Sequence, residues 1–398
     1  MIIEINKNVV YVKGAKNGAI YNLNTGNVYS INHASCDVVE KYLADKILSL
    51  EEQEYIKVLF SNALLEKGFS AREYTPQKVD DSLDMCWLEI TQQCNCRCLH
   101  CYEGDIHQKL DDSLRIEDWY KVIDQIKENN VQRVVVIGGE PCLHPEITKV
   151  VNYLALKEID TTVFSNGTCL SNELKRTMSQ HKIRFKCSLY GHTPEVHDRI
   201  TQHPGSFKQL ITNIHYFQEH GVEVTAAIVI MKENEAYFED ILSFVKSIGV
   251  KYKFDVIREV FGGKQSDHKP ENMNIIHSVM RTSPHFKKVD KNKFDRAMQK
   301  NTCWSGKMAI CEDGNILPCV FERNISYGNI KDKSIKDIMR STCLQMCWNC
   351  SMEQIDNCQV CEFRFACKDC RPLATACGNE KGKNPRCTYN VYEGVWNG

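Results

Sequence analysis

The sequence predicts an α/β protein: a partial or closed (β/α)6 barrel between a small N-terminal α+β module and a cysteine-rich C-terminal region. Three observations predict it. Short apolar runs alternate with amphipathic patterns over residues 86–260, and strand-then-helix repetition means a parallel sheet covered by helices. Residues 1–75 carry short β-branched and aromatic runs, then two helical patterns. Cysteine is unevenly spread: of 21 in 398 residues, four lie in 94–101 and twelve in 303–387.

VVYV, AIYNL and NVYSI are separated by GAKNG at 14–18 and NTGN at 24–27, which reads as a hairpin or three-stranded sheet. CDVVEKYLADKILS and EEQEYIKVLFSNALLEKG follow with helical periodicity, and Gly68 is a helix stop. Strands and helices in so short a piece suit a winged-helix-like unit over 1–75. Such a unit docks a peptide or a nucleic acid, or serves as a packing or dimerisation appendage. Residues 33–68 lack a dense Lys/Arg face, which argues against nucleic acid. Residues 72–85 are polar and aperiodic, and 76–85 is assigned as a linker.

In the barrel, 86–262, the strand candidates are 86–91, 133–138, 161–166, 183–189, 222–230 and 252–257. Helical patterns cover 116–129, 145–158, 206–219 and 235–247. Ligand sites in such a fold lie at the C-terminal strand ends. The bridging region 263–302, with KQSDHKPENMN and KKVDKNKFDRAMQK, reads as a loop and a solvated helix. Region 303–398 is poor in long apolar runs, so metal clusters would supply folding energy there.

Lys+Arg and Asp+Glu number 50 and 51, for a net charge of -1. Nothing in that balance calls for nucleic acid. MIIEINKNVVYV lacks the pattern of a signal peptide, and no run approaches the ~20 apolar residues of a membrane span. The expectation is a cytoplasmic protein with no membrane partner, in which dense cysteine means metal rather than disulfide.

Cys94, Cys98 and Cys101 form a Cys-x3-Cys-x2-Cys run in TQQCNCRCLHCY, directly after the first barrel strand. Three thiolates so spaced hold three corners of a cubane iron–sulfur cluster and leave one iron open to a small molecule. Cys96 lies between them. A zinc knuckle with His100 as fourth ligand is the competing reading. After the second strand, Gly138 and Gly139 let backbone approach a bound molecule. Glu140 offers an acceptor to an ammonium group. Alone, GGEP also suits an ordinary strand-end turn.

The cysteine triad with Tyr102, followed by Gly138, Gly139, Glu140 and Pro141, resembles the radical S-adenosylmethionine (radical SAM) superfamily. The resemblance implies a [4Fe–4S] cluster on Cys94, Cys98 and Cys101 whose open iron takes the methionyl amino and carboxylate groups. S-adenosylmethionine is then cleaved to a 5'-deoxyadenosyl radical that abstracts a substrate hydrogen. Ser165 and Asn166, ending the third strand, and Ser188, ending the fourth, lie where the family contacts ribose and methionine. Arg199 is a candidate partner for the methionyl carboxylate, with two parallel donors. The string SLYGHTPEVHDRIT at 188–201 resembles the peptide-modifying branch. His197 and Asp198 are read as pinning the loop that follows. Arg258 and Glu259 either meet substrate or are sealed by the C-terminal region.

Cys303, the GNILPC string ending at Cys319, Cys358, Cys361, Cys367, Cys370 and Cys387 resemble the SPASM extension of radical maturases. The resemblance implies two auxiliary [4Fe–4S] clusters. One takes Cys303, Cys319 and Cys370, with Cys311 as candidate fourth ligand. The other takes Cys358, Cys361, Cys367 and Cys387. The Cys367-x2-Cys370 step is shorter than in some relatives. Cys343, Cys347, Cys350 and Cys377 fall outside the pattern: they replace a ligand, build a third cluster or stay free. Zinc ribbons are the alternative for this region.

NGAIYNLNTGNVYSIN before helices resembles the recognition element of maturases of ribosomally made peptides, which binds a leader peptide by strand addition. The tail NPRCTYNVYEGVW at 384–396 resembles one subgroup of SPASM maturases in which thioether formation is common. The function these resemblances imply is crosslinking of a cysteine thiol to an acceptor carbon in a precursor peptide, fed by a flavodoxin or ferredoxin reductant. Carbon–carbon crosslinking, epimerisation or dehydrogenation of a peptide or protein is the alternative. A non-enzymatic iron–sulfur scaffold is the remote one.

Overall fold

A computed structural model describes residues 1–104, 114–260 and 266–397. The expected barrel boundary at residue 262 lies outside the described residues. The chain forms two compact units that cut across chain order: 1–80 with 280–305 and 346–398, and 81–279 with 306–345.

The first unit is built on an antiparallel sheet of β1 (Ile2–Asn6), β2 (Val9–Lys13), β3 (Gly18–Asn22), β4 (Asn27–Ile31) and β5 (Arg72–Glu73), ordered β4-β3-β2-β1-β5. The period-2 pleat splits its apolar residues between two faces. Val9, Tyr11 and Ile20 pack with Val39, Ile56 and Leu59 of helices His33–Leu43 and Leu50–Ser61. Val10, Val12, Ala19 and Tyr21 pack with Phe294, Phe363, Phe365 and Tyr389. A sheet buried on both faces gives near-continuous apolar strands, as β2 and β3 do. The second helix opens on a Ser49/Glu52 capping box.

Helix Lys291–Gln299 is not the solvated helix its lysines suggest. It buries Phe294, Asp295 and Ala297. Asp295 accepts from the Tyr74 hydroxyl at 2.6 Å and pairs with Lys291 at 3.1 Å. The cysteine-rich tail also supplies apolar core, with Trp348, Met352, Ile355 and Phe363 all buried.

The second unit holds the partial α/β barrel. Strands β6 (Met85–Glu89), β7 (Arg133–Ile137), β8 (Asp160–Ser165), β9 (Arg184–Leu189), β10 (Val224–Ile230) and β11 (Lys251–Val256) pair in parallel, each with its successor. All six lie within two residues of the sequence expectation. β12 (Lys307–Cys311) adds to β6 in parallel, and β13 (Asn315–Leu317) and β14 (Gly328–Asn329) complete a nine-stranded sheet. Periodicity passes over β12 because KMAIC is five residues inside a cysteine-rich tract. It also passes over two helices, Asn172–Gln180 and Pro194–Thr201, which are short and mostly polar. No helix among the described residues is long and apolar enough to cross a membrane.

Candidate active site

The loop after β6 carries the cysteine triad at the C-terminal end of the parallel strands. Two segments pin it. The Arg97 and Leu99 amides donate to the Thr201 and Ile200 carbonyls at 2.9 and 3.0 Å. His203 Nδ1 lies 2.9 Å from the Asn95 carbonyl oxygen, while Asn166 Nδ2 donates to Asn95 Oδ1 at 2.8 Å. Cys94, Cys98 and Cys101 are half-buried, and Cys96 is buried. The Cys96 thiol is in hydrogen-bond contact with both Cys94 and Cys98, and it accepts from Asn166 Nδ2 at 3.4 Å.

Tetrahedral zinc, with Zn–S near 2.3 Å, draws its sulfurs to within ~4 Å of one another. Among the described residues only Cys311, Glu312 and Asp313 bring three potential ligand atoms within 4.8 Å of each other. The triad is therefore spread more widely than a zinc knuckle. His100, the fourth ligand of that reading, packs edge-on against Tyr190 with ring centroids 4.6 Å apart. Burial holds its pKa down to about 4. Three soft thiols on one partly open loop fit an iron–sulfur cluster with a free iron.

Gly138 and Gly139 answer to the protein itself. A Cβ on Gly138 would lie 2.3 Å from the Thr91 carbonyl oxygen, and one on Gly139 2.5 Å from that of Gln92. The close approach lets the Gly139 amide donate to Thr91 O at 2.9 Å and the Glu140 amide to Gln93 O at 2.7 Å. The GGE turn is thus laced to the loop that bears Cys94. Glu140 is fully buried. Its carboxylate accepts from the Cys142 amide at 2.9 Å, the Ser165 hydroxyl at 2.8 Å and the Asn166 amide at 2.6 Å. Burial pushes its pKa up, and those donors pull it back. Pro141 opens the short 3-10 turn Pro141–Leu143. Glu140, Ser165 and Asn166 therefore join the ends of β7 and β8 beneath the cluster loop.

The remaining expected contacts are placed as follows. Ser188 hydrogen-bonds Tyr190. Arg199 donates from Nη2 to the Glu233 carbonyl at 2.9 Å. His197 Nδ1 accepts from the Tyr190 amide at 3.1 Å, so its ring proton sits on Nε2. Asp198 accepts from the Gly205 amide, the Ser206 hydroxyl and the Phe207 amide, each at 2.7–2.8 Å, and so fixes the loop that enters helix Ser206–Glu219. Arg258 pairs with Asp255 at 2.8 Å and Glu259 with Lys269 at 2.6 Å.

No spacing rule reveals Arg323. It donates to both Glu89 oxygens at 2.7 Å and also bonds Glu103. Glu89 ends β6 before the triad, and Glu103 follows it, so one guanidinium holds both ends of the cluster loop. Tyr102, between Cys101 and Glu103, sets its ring 5.0 Å from that of Phe321. Arg323 lies four residues beyond Cys319. The Cys311 thiol, at the end of β12, donates to Glu89 at 3.1 Å. Burial, then the Glu89 carboxylate, raises its pKa.

In the first unit, Cys358, Cys361 and Cys367 lie within one another's electrostatic reach, and Cys387 lies within that of Cys358 and Cys367. Arg281 donates to the Cys367 sulfur and bridges Cys387 through backbone. Burial pushes the Cys367 thiol up to about 11, against the pull of Arg281. Cys303 and Cys370 belong to this unit, and Cys311 and Cys319 to the other. Asn301 is the hub beside Cys303: it accepts from the Cys303 amide and donates to the Cys350 carbonyl, both at 2.8 Å.

Comparison with known proteins agrees with this geometry. Residues 88–245 match the radical SAM superfamily. The antilisterial bacteriocin subtilosin biosynthesis protein AlbA of Bacillus subtilis is 27% identical over 300 residues, 71% of this chain and 66% of AlbA. An AdoMet-dependent heme synthase of Oleidesulfovibrio alaskensis is 22% identical over 351 residues, 79% of this chain and 90% of the synthase. The crystal structure of Streptococcus suis SuiB bound to precursor peptide SuiA superposes with a TM-score of 0.60 at 15% identity, covering 98% of this chain and 100% of SuiB.

Proposed function

We propose that this chain, a radical SAM enzyme with a SPASM-type auxiliary domain, joins a cysteine thiol to an acceptor carbon in a ribosomally made precursor peptide. The observation that carries the reading is the thiol quartet Cys358, Cys361, Cys367 and Cys387. We assign it as a second iron–sulfur donor set, remote in sequence from the triad. Forming a thioether removes two hydrogens and is a two-electron oxidation. Hydrogen abstraction accounts for one electron, and the other needs an acceptor. Carbon–carbon joining and dehydrogenation share that need, whereas an epimerisation is redox-neutral and does not.

Bound at Cys94, Cys98 and Cys101, a [4Fe–4S] cluster with S-adenosylmethionine supplies the electron and the radical. The chain's residues hold that loop: Asn95, Asn166 and His203 from one side, Gly138 to Glu140 from beneath, Arg323 at both ends. Arg199 and Ser188 are assigned to the methionyl and ribose groups, and Cys303, Cys319 and Cys370 to a second auxiliary cluster. The leader peptide is assigned to the N-terminal sheet, where β4 is an edge with Asn27, Tyr29 and Ser30 exposed and unpaired strand edges accept a further strand. The name of AlbA and the bound precursor peptide of SuiB support a peptide substrate. A flavodoxin or ferredoxin reductant and a cytoplasmic setting belong to the same reading.

The test is anaerobic reconstitution followed by incubation with S-adenosylmethionine, reductant and a short cysteine-bearing peptide encoded beside the gene. The expected product lacks two hydrogens per bond, and its cysteine no longer alkylates. Loss of two hydrogens with an alkylatable cysteine assigns carbon–carbon joining or dehydrogenation instead. Unchanged mass in H2O together with a gain of one deuterium per site in D2O assigns epimerisation. Cys98→Ala abolishes 5'-deoxyadenosine formation; persistence in that variant removes the triad from the mechanism.

A further inference from the structure

The inner face of the partial barrel is basic. On β9 the residues Phe185, Cys187 and Leu189 are buried under the helices, so Arg184, Lys186 and Ser188 take the opposite face. The same alternation places Arg133 on β7 and Lys251 and Lys253 on β11 there. These five cations line one cavity of about 600 Å³ with a single acid, Glu223. Two of the five are neutralised: Arg184 by Asp160, and Lys251 by Glu223 at 2.7 Å. Arg133, Lys186 and Lys253 make no ion pair among the described residues.

Lys186 is the most enclosed. Its ammonium lies 4.4 Å from the centre of the Phe164 ring, and burial, then the charges of Lys253 and Arg258, lowers its pKa. Strand register places Lys186 beside Thr225 and Lys253 beside Ala227, on either side of β10. Thr225 and Ala227 are small, so the space between the cations stays open. Barrel interiors are ordinarily closed by branched apolar side chains. Lys186, enclosed and without an ion pair, loses hydration and is repelled by Lys253, a cost that an anionic ligand removes.

We propose that this cavity binds carboxylate side chains of the substrate, which makes the substrate class an acidic peptide segment. The proposal rests on the peptide reading above. An extended chain presents same-face side chains every ~7 Å, and cations on neighbouring or next-neighbouring strands stand ~5–10 Å apart. Alternate glutamates or aspartates therefore match the spacing, and lysine ammoniums take them as point charges.

The experiment measures fluorescence anisotropy of two labelled short peptides, one alternating Glu and Ser and the other Gln and Ser, on the reconstituted full chain. The wild type is expected to prefer the acidic peptide about tenfold at low salt, the equivalent of ~1.4 kcal/mol, and less as salt rises. K186Q/K253Q, checked for wild-type iron content, loses the preference, whereas K186R/K253R keeps it. Lys253 is exposed on the edge strand β11, so K253E covers the case in which the double variant does not fold, and it too lowers the preference. Equal binding of both peptides by the wild type, or an undiminished preference in K186Q/K253Q or K253E, overturns the proposal. Displacement of the acidic peptide by inorganic phosphate, beyond what chloride of equal ionic strength achieves, overturns it in favour of a phosphate site. Crosslinking of the cognate precursor is scored separately. If it proceeds while both peptides bind equally, the acidic class alone fails; if no peptide is modified, the peptide reading fails whatever the anisotropy shows.

Discussion

Arg323→Met removes the cation that holds Glu89 and Glu103. The Glu89 side chain is 5% exposed, Glu103 12% and Arg323 24%. Burial works against the Arg323 charge, and its bonds to Glu89 more than compensate, holding its pKa up. Breaking a buried pair by deleting one partner costs ~3–5 kcal/mol, because the remaining charge is left without compensation. The partial exposure of Arg323 lets water screen part of that loss, so about 3 kcal/mol is expected. The assay is urea unfolding of the reconstituted protein, with R323M, E89Q and R323M/E89Q compared through midpoint and slope. R323M should lower the midpoint, and the double variant should lose less than the sum of the singles, since the neutral amide introduced by E89Q no longer needs the guanidinium. Iron retention should fall in R323M as the ends of the cluster loop separate. A stability for R323M within about 0.5 kcal/mol of wild type, the usual range of a neutral surface change, would falsify the clamp. Strict additivity in the double variant would remove the Glu89 contact from the account.

Gly139→Ala forces a methyl toward the Gln92 and Gln93 carbonyl oxygens, 2.5 and 2.6 Å from the ideal Cβ. An overpacking cost of ~1–3 kcal/mol and weaker iron retention are expected, and wild-type iron content in this variant would contradict the lacing of the GGE turn to the cluster loop. Asp198→Ala strands three donors at the entry to helix Ser206–Glu219. It should cost ~1–2 kcal/mol, the scale of a lost cap, read as a lower urea midpoint. His197 is held neutral by burial, with its pKa down at about 4 against an ordinary ~6.5. Between those values the unfolded chain takes up a proton that the folded chain refuses, so stability falls as pH drops through this window. His197→Asn should flatten the profile of thermal midpoint against pH there; an unchanged profile counts against a neutral buried ring.

Local patterns carried much of this molecule. Five of the six barrel strands keep a buried, helix-facing set at every second residue, and β6 to β11 appear in the order the chain predicts. The triad, the GGE turn, Ser165 and Asn166 meet at one end of the sheet because each follows a strand, and parallel strands put those ends together. The reason for the glycines was not legible. Gly138 and Gly139 are required by carbonyl oxygens 47 residues away or nearer in the chain, a contact that exists only once β6 and β7 are paired. Asp198 was readable as a pin because its partners lie within nine residues. Arg323 was not, since its partners are 220 and 234 residues away.

The sequence by itself determined the cysteine spacing and the strand–helix repeat, and with the repeat the kind of sheet, because both are written in separations of a few residues. Only the tertiary structure decided that β12 extends the barrel sheet, that the N-terminal sheet shares a core with the cysteine-rich tail, and that Lys186 and Lys253 line one cavity of the barrel. Those facts depend on which surfaces meet after folding, and burial between distant segments leaves no periodic mark on either.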